Sequence, residues 1–207
     1  MPEERPRQIL EAAFQTFAEH GLANAKLDDI AKRAGVSKGT IYLYFPNKEE
    51  LFREVVRQTV ADSIDELERS AKGHTATEDL TQYIAVQWRF MRSASFPPLY
   101  RWVLSELPAF PDLADFYGRE VVTRKQVVLR GILERGVAGG EFRAMDPTVA
   151  SRMLMSMLIT HANWCGLRPH VDSVADRTDE QVLQEIKQFY LNAIRREPDA
   201  AATESHS

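Results

Sequence analysis

The chain has 207 residues, 26 Lys and Arg against 30 Asp and Glu, and 44% hydrophobic residues, which is enough to bury a sizeable core. A formal net charge of −4 confines any polyanion partner to a local basic surface. The single cysteine, Cys165, excludes an internal disulfide and a thiolate-rich metal site, and reads as a small buried apolar residue.

The first eight residues, MPEERPRQ, have no apolar stretch of the signal-peptide kind, and no run reaches the ~18 apolar residues of a membrane span. A cytoplasmic protein with no membrane partner is expected. Up to residue 60 there are nine basic and nine acidic residues, against 17 and 21 beyond it, so the negative balance lies in the C-terminal part. From Pro6 to His20, Leu10, Ala13, Phe14 and Phe17 form one helical stripe, and Gly21 ends it. Phe14 and Phe17 are read as core.

The next stretch, DDIAKRAGVSKGTIYLYFPNK, predicts two short helices around a tight turn and the opening of a third. Leu27, Ile30, Ala31 and Ala34 keep helical spacing, Gly35 is the residue type that ends a helix in a left-handed turn, and Val36 can plug the angle between two helices. Ser37 is an N-cap whose hydroxyl can accept from the N–H of Gly39 or Thr40. From Ile30 to Lys48 there are four basic residues and no Asp or Glu. A short helix from Lys38 to about Tyr44, small and polar at its start, suits a major groove. Gly39 allows close approach, Thr40 can touch a base edge or a thymine methyl, and Lys38 can reach guanine or phosphate. Tyr42 and Tyr44 offer hydroxyls to phosphates, while Ile41 and Phe45 face inward. Asn47 caps the third helix with Glu50 three residues on, as in a capping box, and Lys48 in its first turn makes a phosphate-binding corner.

The string AGVSKGTIYLYFPNKEELF resembles the DNA-binding domain of the TetR family of bacterial transcriptional regulators, at motif level over roughly residues 6 to 57. The resemblance implies an all-α fold: three N-terminal helices with the helix-turn-helix, a connecting fourth helix, and a larger C-terminal region for effector binding and dimerisation. Where many members carry Thr or Ser before the second helix, this chain has Ala25 and Lys26, and Lys26 is placed to supply the phosphate contact instead. The expected domains are residues 1–47 for DNA binding and 48–196 for effector binding and dimerisation, with 48–72 as connecting helix and 197–207 as a disordered tail lacking any apolar stripe.

Leu51, Phe52, Val55, Val56, Val60, Ile64 and Leu67 continue a stripe from Asn47 to about Ala71, a helix long enough to act as a lever. After the polar loop KGHTATED, a helix runs from Leu80 to about Arg92 and is broken by Pro97 and Pro98. Short helices are expected over 99–107 and 113–117. From Gly118 to Val137 a helix should direct Val122, Leu129, Ile132 and Leu133 inward and Arg119, Arg124, Lys125, Arg130 and Arg135 outward. Asp146 caps the helix from Pro147 to Cys165, the most apolar of the chain, and a last helix spans about Asp179 to Arg196.

Two sites are expected in this C-terminal part. Trp88, Phe96, Tyr100, Phe116, Met157 and His161 are the candidate lining of a pocket between the middle helices and the Pro147 helix. With no buried cluster of Arg or Lys apparent, a small apolar effector, aromatic or acyl-chain, is the chemical class it would take, although the same rings equally fill ordinary cores. The helices beginning at Pro147 and Asp179 could pair with their copies in a homodimer, which the resemblance also implies, with Met153, Ser156, Thr160, Ile186 and Phe189 as candidates.

Among catalytic patterns, there is no GxxxxGK[ST], HExxH or ExxH pair. His161 among Met and Leu reads as an imidazole making one hydrogen bond rather than a proton-transfer group. Neither enzyme activity, cofactor nor metal is expected. The function expected is a homodimeric repressor released from a palindromic double-stranded DNA operator by its effector. The alternative is an all-α ligand-binding or adaptor protein that does not read DNA, against which Lys38, Gly39, Thr40, Tyr42 and Lys48 speak.

Overall fold

The computed structural model describes residues 4–70 and 75–196. Eleven α-helices are present among these residues: α1 Glu4–Asn24, α2 Leu27–Ala34, α3 Lys38–Tyr44, α4 Lys48–Ser70, α5 Ala76–Met91, α6 Phe96–Ser105, α7 Pro111–Tyr117, α8 Arg124–Ala138, α9 Pro147–Gly166, α10 Asp172–Ala175 and α11 Asp179–Ile194. The all-α expectation is met; the only β pairing among the described residues is an isolated bridge between Phe142 and Arg195. The expected end of the connecting helix at 71–72 and the tail at 197–207 lie outside the described residues.

By packing, the chain divides into two units, Met1–Asp65 with Ser93–Lys125 and Glu66–Arg92 with Gln126–Ser207. The first unit is built on α1, which buries Ile9, Leu10, Ala13 and Phe17 and kinks at Gly21 (φ 76°, ψ 168°), a conformation that only glycine adopts cheaply. Helix α6 packs against it through Trp102, which is fully buried and meets Phe52 at 5.3 Å and Phe14 at 5.5 Å between ring centroids, both edge to face. The indole Nε1 donates to the carbonyl of Phe17 at 3.2 Å, so the one polar atom of this side chain is satisfied. Pro97 and Pro98 do not stand between helices as expected; they open α6, where a missing N–H costs nothing.

The second unit packs α5 against α9 and α11. Thr75 and Glu78 form a capping box that starts α5 four residues before the expected point. The Glu141 carboxylate adds bonds to the N–H groups of Ala76 and Thr77 at 2.8 and 2.9 Å. Asp146 caps α9 as expected, accepting from Thr148 N–H at 2.8 Å. Inward, α9 presents Leu154, Leu158, Ala162 and Cys165, and α11 presents Val182, Leu183, Ile186 and Tyr190. Asp179 joins both Arg92 (2.8 Å) and Arg168 (2.6 Å).

The segment from Pro111 to Ala138 corrects one expectation. It is helical throughout, but Gly118–Thr123 is wound as a π-helix between α7 and α8. The inward stripe therefore steps five residues, from Phe116 to Val121, before resuming at Lys125, Leu129, Ile132 and Leu133. A π-turn inserts one residue and rotates everything beyond it by about 100° relative to an α-helix. Val122, expected inside, is 38% exposed, and Lys125, expected outside, is buried at 8%.

Candidate nucleic-acid interface

The turn between α2 and α3 forms through local interactions. Gly35 adopts the left-handed conformation (φ 65°, ψ 32°) that terminates α2, and Val36 N–H returns to the carbonyl of Ala31 at 3.0 Å. Ser37 caps α3 by accepting from Thr40 N–H at 3.1 Å, and the two hydroxyl oxygens are 2.9 Å apart. Among the described residues, Ile41 and the following Phe45 are the buried side chains that seat this seven-residue helix. The rest of its surface, Lys38, Gly39, Tyr42, Leu43 and Tyr44, is exposed, with Thr40 half-buried beside it.

The charges around it are partly engaged. Lys38 Nζ lies 2.9 Å from the Asp28 carboxylate, and that hydrogen bond raises the pKa of the amine. Arg33 is held by Glu19 at 2.6 Å. Lys26 is exposed at the start of α2, where no side chain caps the helix. Asn47 accepts from Glu50 N–H at 2.7 Å, forming one half of the expected capping box; the Glu50 carboxylate pairs with Arg53. Lys48, expected to face phosphate, donates to the backbone carbonyls of Ala23 (3.1 Å) and Ala25 (3.3 Å), so two of its three N–H groups fasten α4 to the α1–α2 junction.

The other side of that junction is held from α6. The Glu106 carboxylate accepts from the N–H groups of Leu22 and Ala23, just past the Gly21 kink, and Arg101 donates to the carbonyl of Ala18. A Cβ at Gly21 would come within 2.8 Å of the Glu106 carboxylate, so the glycine also provides room. Residues 21–25, which lead into the helix-turn-helix, are thus clamped by charged side chains from two other helices. Glu106 lies 84 residues from Leu22, and no local pattern marks it.

The effector candidates fall in both units. In the first, Phe96 is buried and stacked on Tyr100 (5.5 Å, 16°), and Phe116 is buried beneath the guanidinium of Arg57 at 4.9 Å from its centroid. Tyr117, next to Phe116, has its hydroxyl pKa pushed up to about 12 by burial and by the neighbouring Tyr100. Lys125, missed as an inward cation, has its amine pushed down to about 7 by burial. In the second unit, Trp88 is buried and Met157 half-buried, and His161 Nδ1 donates to the carbonyl of Met157 at 2.8 Å. That fixes the tautomer and matches an imidazole making one structural bond. A cleft of about 390 Å³ in the first unit is lined by Leu10, Glu11, Phe14, Gln58 and Asp62 among others, and by none of the six candidates.

The dimerisation candidates divide. Met153 is 54% and Phe189 66% exposed, and Ser156 and Thr160 are also exposed, whereas Ile186 is buried within its own chain. Among the described residues, no three His, Cys, Asp or Glu side chains converge as a metal site would need, and no helix is long and apolar enough to cross a membrane.

Comparison with known proteins bears on the whole chain. Residues 9–55 match the model of bacterial regulatory proteins of the tetR family, and residues 78–195 match that of the C-terminal domain of AefR-like transcriptional repressors. The chain belongs to the TetR family. It is 29% identical over 164 residues to the fatty acid metabolism regulator protein of Bacillus subtilis, covering 76% of this chain and 82% of that protein. It is likewise 29% identical to the HTH-type transcriptional repressor SCO4008 of Streptomyces coelicolor, over 84% of each. Among solved structures, the transcriptional regulator FadR of Bacillus subtilis in complex with stearoyl-CoA superposes with a TM-score of 0.73 at 25% identity, over 91% of this chain and 99% of that one. This TetR-family chain is therefore a helix-turn-helix transcriptional regulator, not an enzyme.

Proposed function

We propose that the chain is a homodimeric repressor of the cytoplasm that binds a palindromic operator through α3 and releases it on binding a small apolar effector. Residues 1–47 read DNA and 48–196 sense the effector and dimerise. The observation that carries the first part is the exposed surface of α3, seated by Ile41 and Phe45. On this reading Ser37, Lys38, Gly39, Thr40, Tyr42 and Tyr44 meet the groove and Lys26 a phosphate, while Lys48, with two N–H groups on the Ala23 and Ala25 carbonyls, keeps one for a phosphate. The acidic balance lies elsewhere in the chain. Two copies of α3 enter successive major grooves about 34 to 36 Å apart. The exposed stripe of Val149, Met153, Ser156 and Thr160 on α9, with Phe189 on α11, supplies the apolar surface for the homodimer.

The effector is an apolar molecule of the acyl-chain type, in keeping with the stearoyl-CoA bound by the FadR relative. Replacing Trp88, Phe96, Tyr100, Phe116, Met157 or His161 one at a time identifies which of them sense it. The signal reaches the helix-turn-helix through the α1–α2 junction, where Lys48 of α4 and Glu106, just past α6, are both fastened. A preference of about 1.4 kcal/mol for the non-binding state changes the ratio of states tenfold.

The test is a gel shift of the full chain on its own promoter region, with and without long-chain acyl-CoA and a panel of apolar compounds, alongside sedimentation at micromolar concentration. The expected result is a dimer whose specific complex is lost when one compound class is added. A monomer, or a complex indifferent to every compound, refutes the corresponding part.

A further inference from the structure

Helix α3 exposes one side chain that its role as a polar DNA reader does not account for. Leu43 is 82% exposed, more than any other large hydrophobic residue described, and more than its neighbours Tyr42 (49%) and Tyr44 (40%). Successive residues of an α-helix turn by roughly 100°, so Leu43 stands about 200° from Ile41 and from Phe45, the two residues that seat the helix. It points directly away from the protein. One turn earlier on the same side is Gly39, where a Cβ would meet nothing nearer than the Ser37 hydroxyl at 3.7 Å. The outermost strip of α3 is therefore a residue without a side chain followed by a branched hydrocarbon.

We propose that Leu43 reads the 5-methyl group of a thymine in the major groove. An isobutyl group neither donates nor accepts a hydrogen bond, and the thymine methyl is the apolar feature that a base pair shows in that groove. The gap at Gly39 lets the helix backbone approach closely enough for a side chain of only four carbons to reach the base edge. The occupant follows from the charge of the segment: Lys32, Arg33 and Lys38 precede Leu43 and Lys48 follows it, with no acid between Ile30 and Lys48, although Lys38 is paired with Asp28 from the preceding helix. A protein partner docking on a single exposed leucine would find no apolar surface continuous with it on α3, where the flanking side chains are Lys38, Thr40 and two tyrosines. The inference rests on α3 being the groove-binding helix, and it adds a specific base contact to that reading.

The experiment uses full-length wild type and Leu43→Ala, with double-stranded oligonucleotides recovered by the wild type from a random-sequence pool. In the recovered sequence each thymine is replaced in turn by uracil, which removes the methyl and nothing else. Wild type should lose about fourfold in affinity at one thymine per half-site, the worth of one buried methyl. Leu43→Ala should bind the thymine and uracil versions of that position equally, with an unchanged circular dichroism spectrum. If wild type selects a sequence but no uracil replacement weakens it, or if Leu43→Ala remains as sensitive as wild type, the Leu43 assignment is wrong while the DNA-reading role stands. If wild type selects no sequence at all, the reading of α3 falls, and this assignment with it.

Discussion

The first unit inverts the hydrophobic rule twice, once in each of its two chain segments. On α3 a leucine is left 82% exposed, and where the π-helical turn passes into α8 a lysine is buried at 8% with its amine pushed down to about 7. Scattered apolar surface needs no account, but a branched hydrocarbon at the apex of a small helix and an ammonium withdrawn from water each cost the protein something. The first belongs to a helix anchored by two side chains, the second to a helix wound with one residue too many. The comparison separates an apolar side chain left in water on the helix proposed to meet DNA from a cation drawn in by the inward face of α8.

The benchmark is a residue that obeys the rule. Trp102→Ala should cost about 3 to 5 kcal/mol by chemical denaturation, because it empties the space among Phe14, Phe17 and Phe52 and leaves the carbonyl of Phe17 without its donor. A loss near zero would mean that the first unit is not organised around this ring.

Lys125→Met keeps the stem and drops the charge, so its stability relative to wild type should be greatest below pH 7 and should depend on pH. The sign follows from linkage: the unfolded lysine holds its proton up to about pH 10, the folded one only to about 7. The cost of the buried amine is thus fully present below pH 7 and fades between 7 and 10. The advantage of the methionine variant over wild type should shrink over that window. An advantage constant from pH 6 to 10 would show that Lys125 does not titrate in the folded protein as its burial implies.

Glu106→Ala should cost about 1 to 2 kcal/mol by removing the acceptor from the N–H groups beyond the Gly21 kink. It should also weaken specific DNA binding without touching α3. Equal DNA affinity in this variant would leave the α1–α2 clamp a purely structural feature. The smallest effect is expected at the exposed leucine: Leu43→Ala should alter stability by less than about 0.5 kcal/mol while changing base preference. A larger loss would mean that Leu43 packs against something.

What could be read in advance follows the range of the forces involved. The Ser37 and Asp146 caps, the Gly35 terminator and the Gly21 break are each settled by a few adjacent residues, and all were legible. The Thr75–Glu78 box is equally local but sits in a polar stretch that reads as loop. Val122 departs from the expected face because a period of 3.6 residues does not carry through a π-turn that no residue of GREVVT announces, whereas Lys125, one turn before Leu129 on α8, departs because its charge reads as a solvated face. Glu106 was invisible because its partners are 83 and 84 residues away. At the interface the residue types of α3 are legible, and Ile41 and Phe45 face inward as expected; the outward direction of Leu43 follows from that same placement, and the structure adds the extent of its exposure.

The central claim is that this TetR-family chain reads DNA through α3, and the most direct measurement is selection of binding sites by the full-length protein from a random double-stranded pool, repeated with the Thr40→Val variant. The account predicts that the wild type enriches a palindrome with half-site centres one helical turn apart, and that Thr40→Val changes the base preferred at one position in each half. Enrichment of no sequence, or of the same sequence with the same preferences by both proteins, would contradict it.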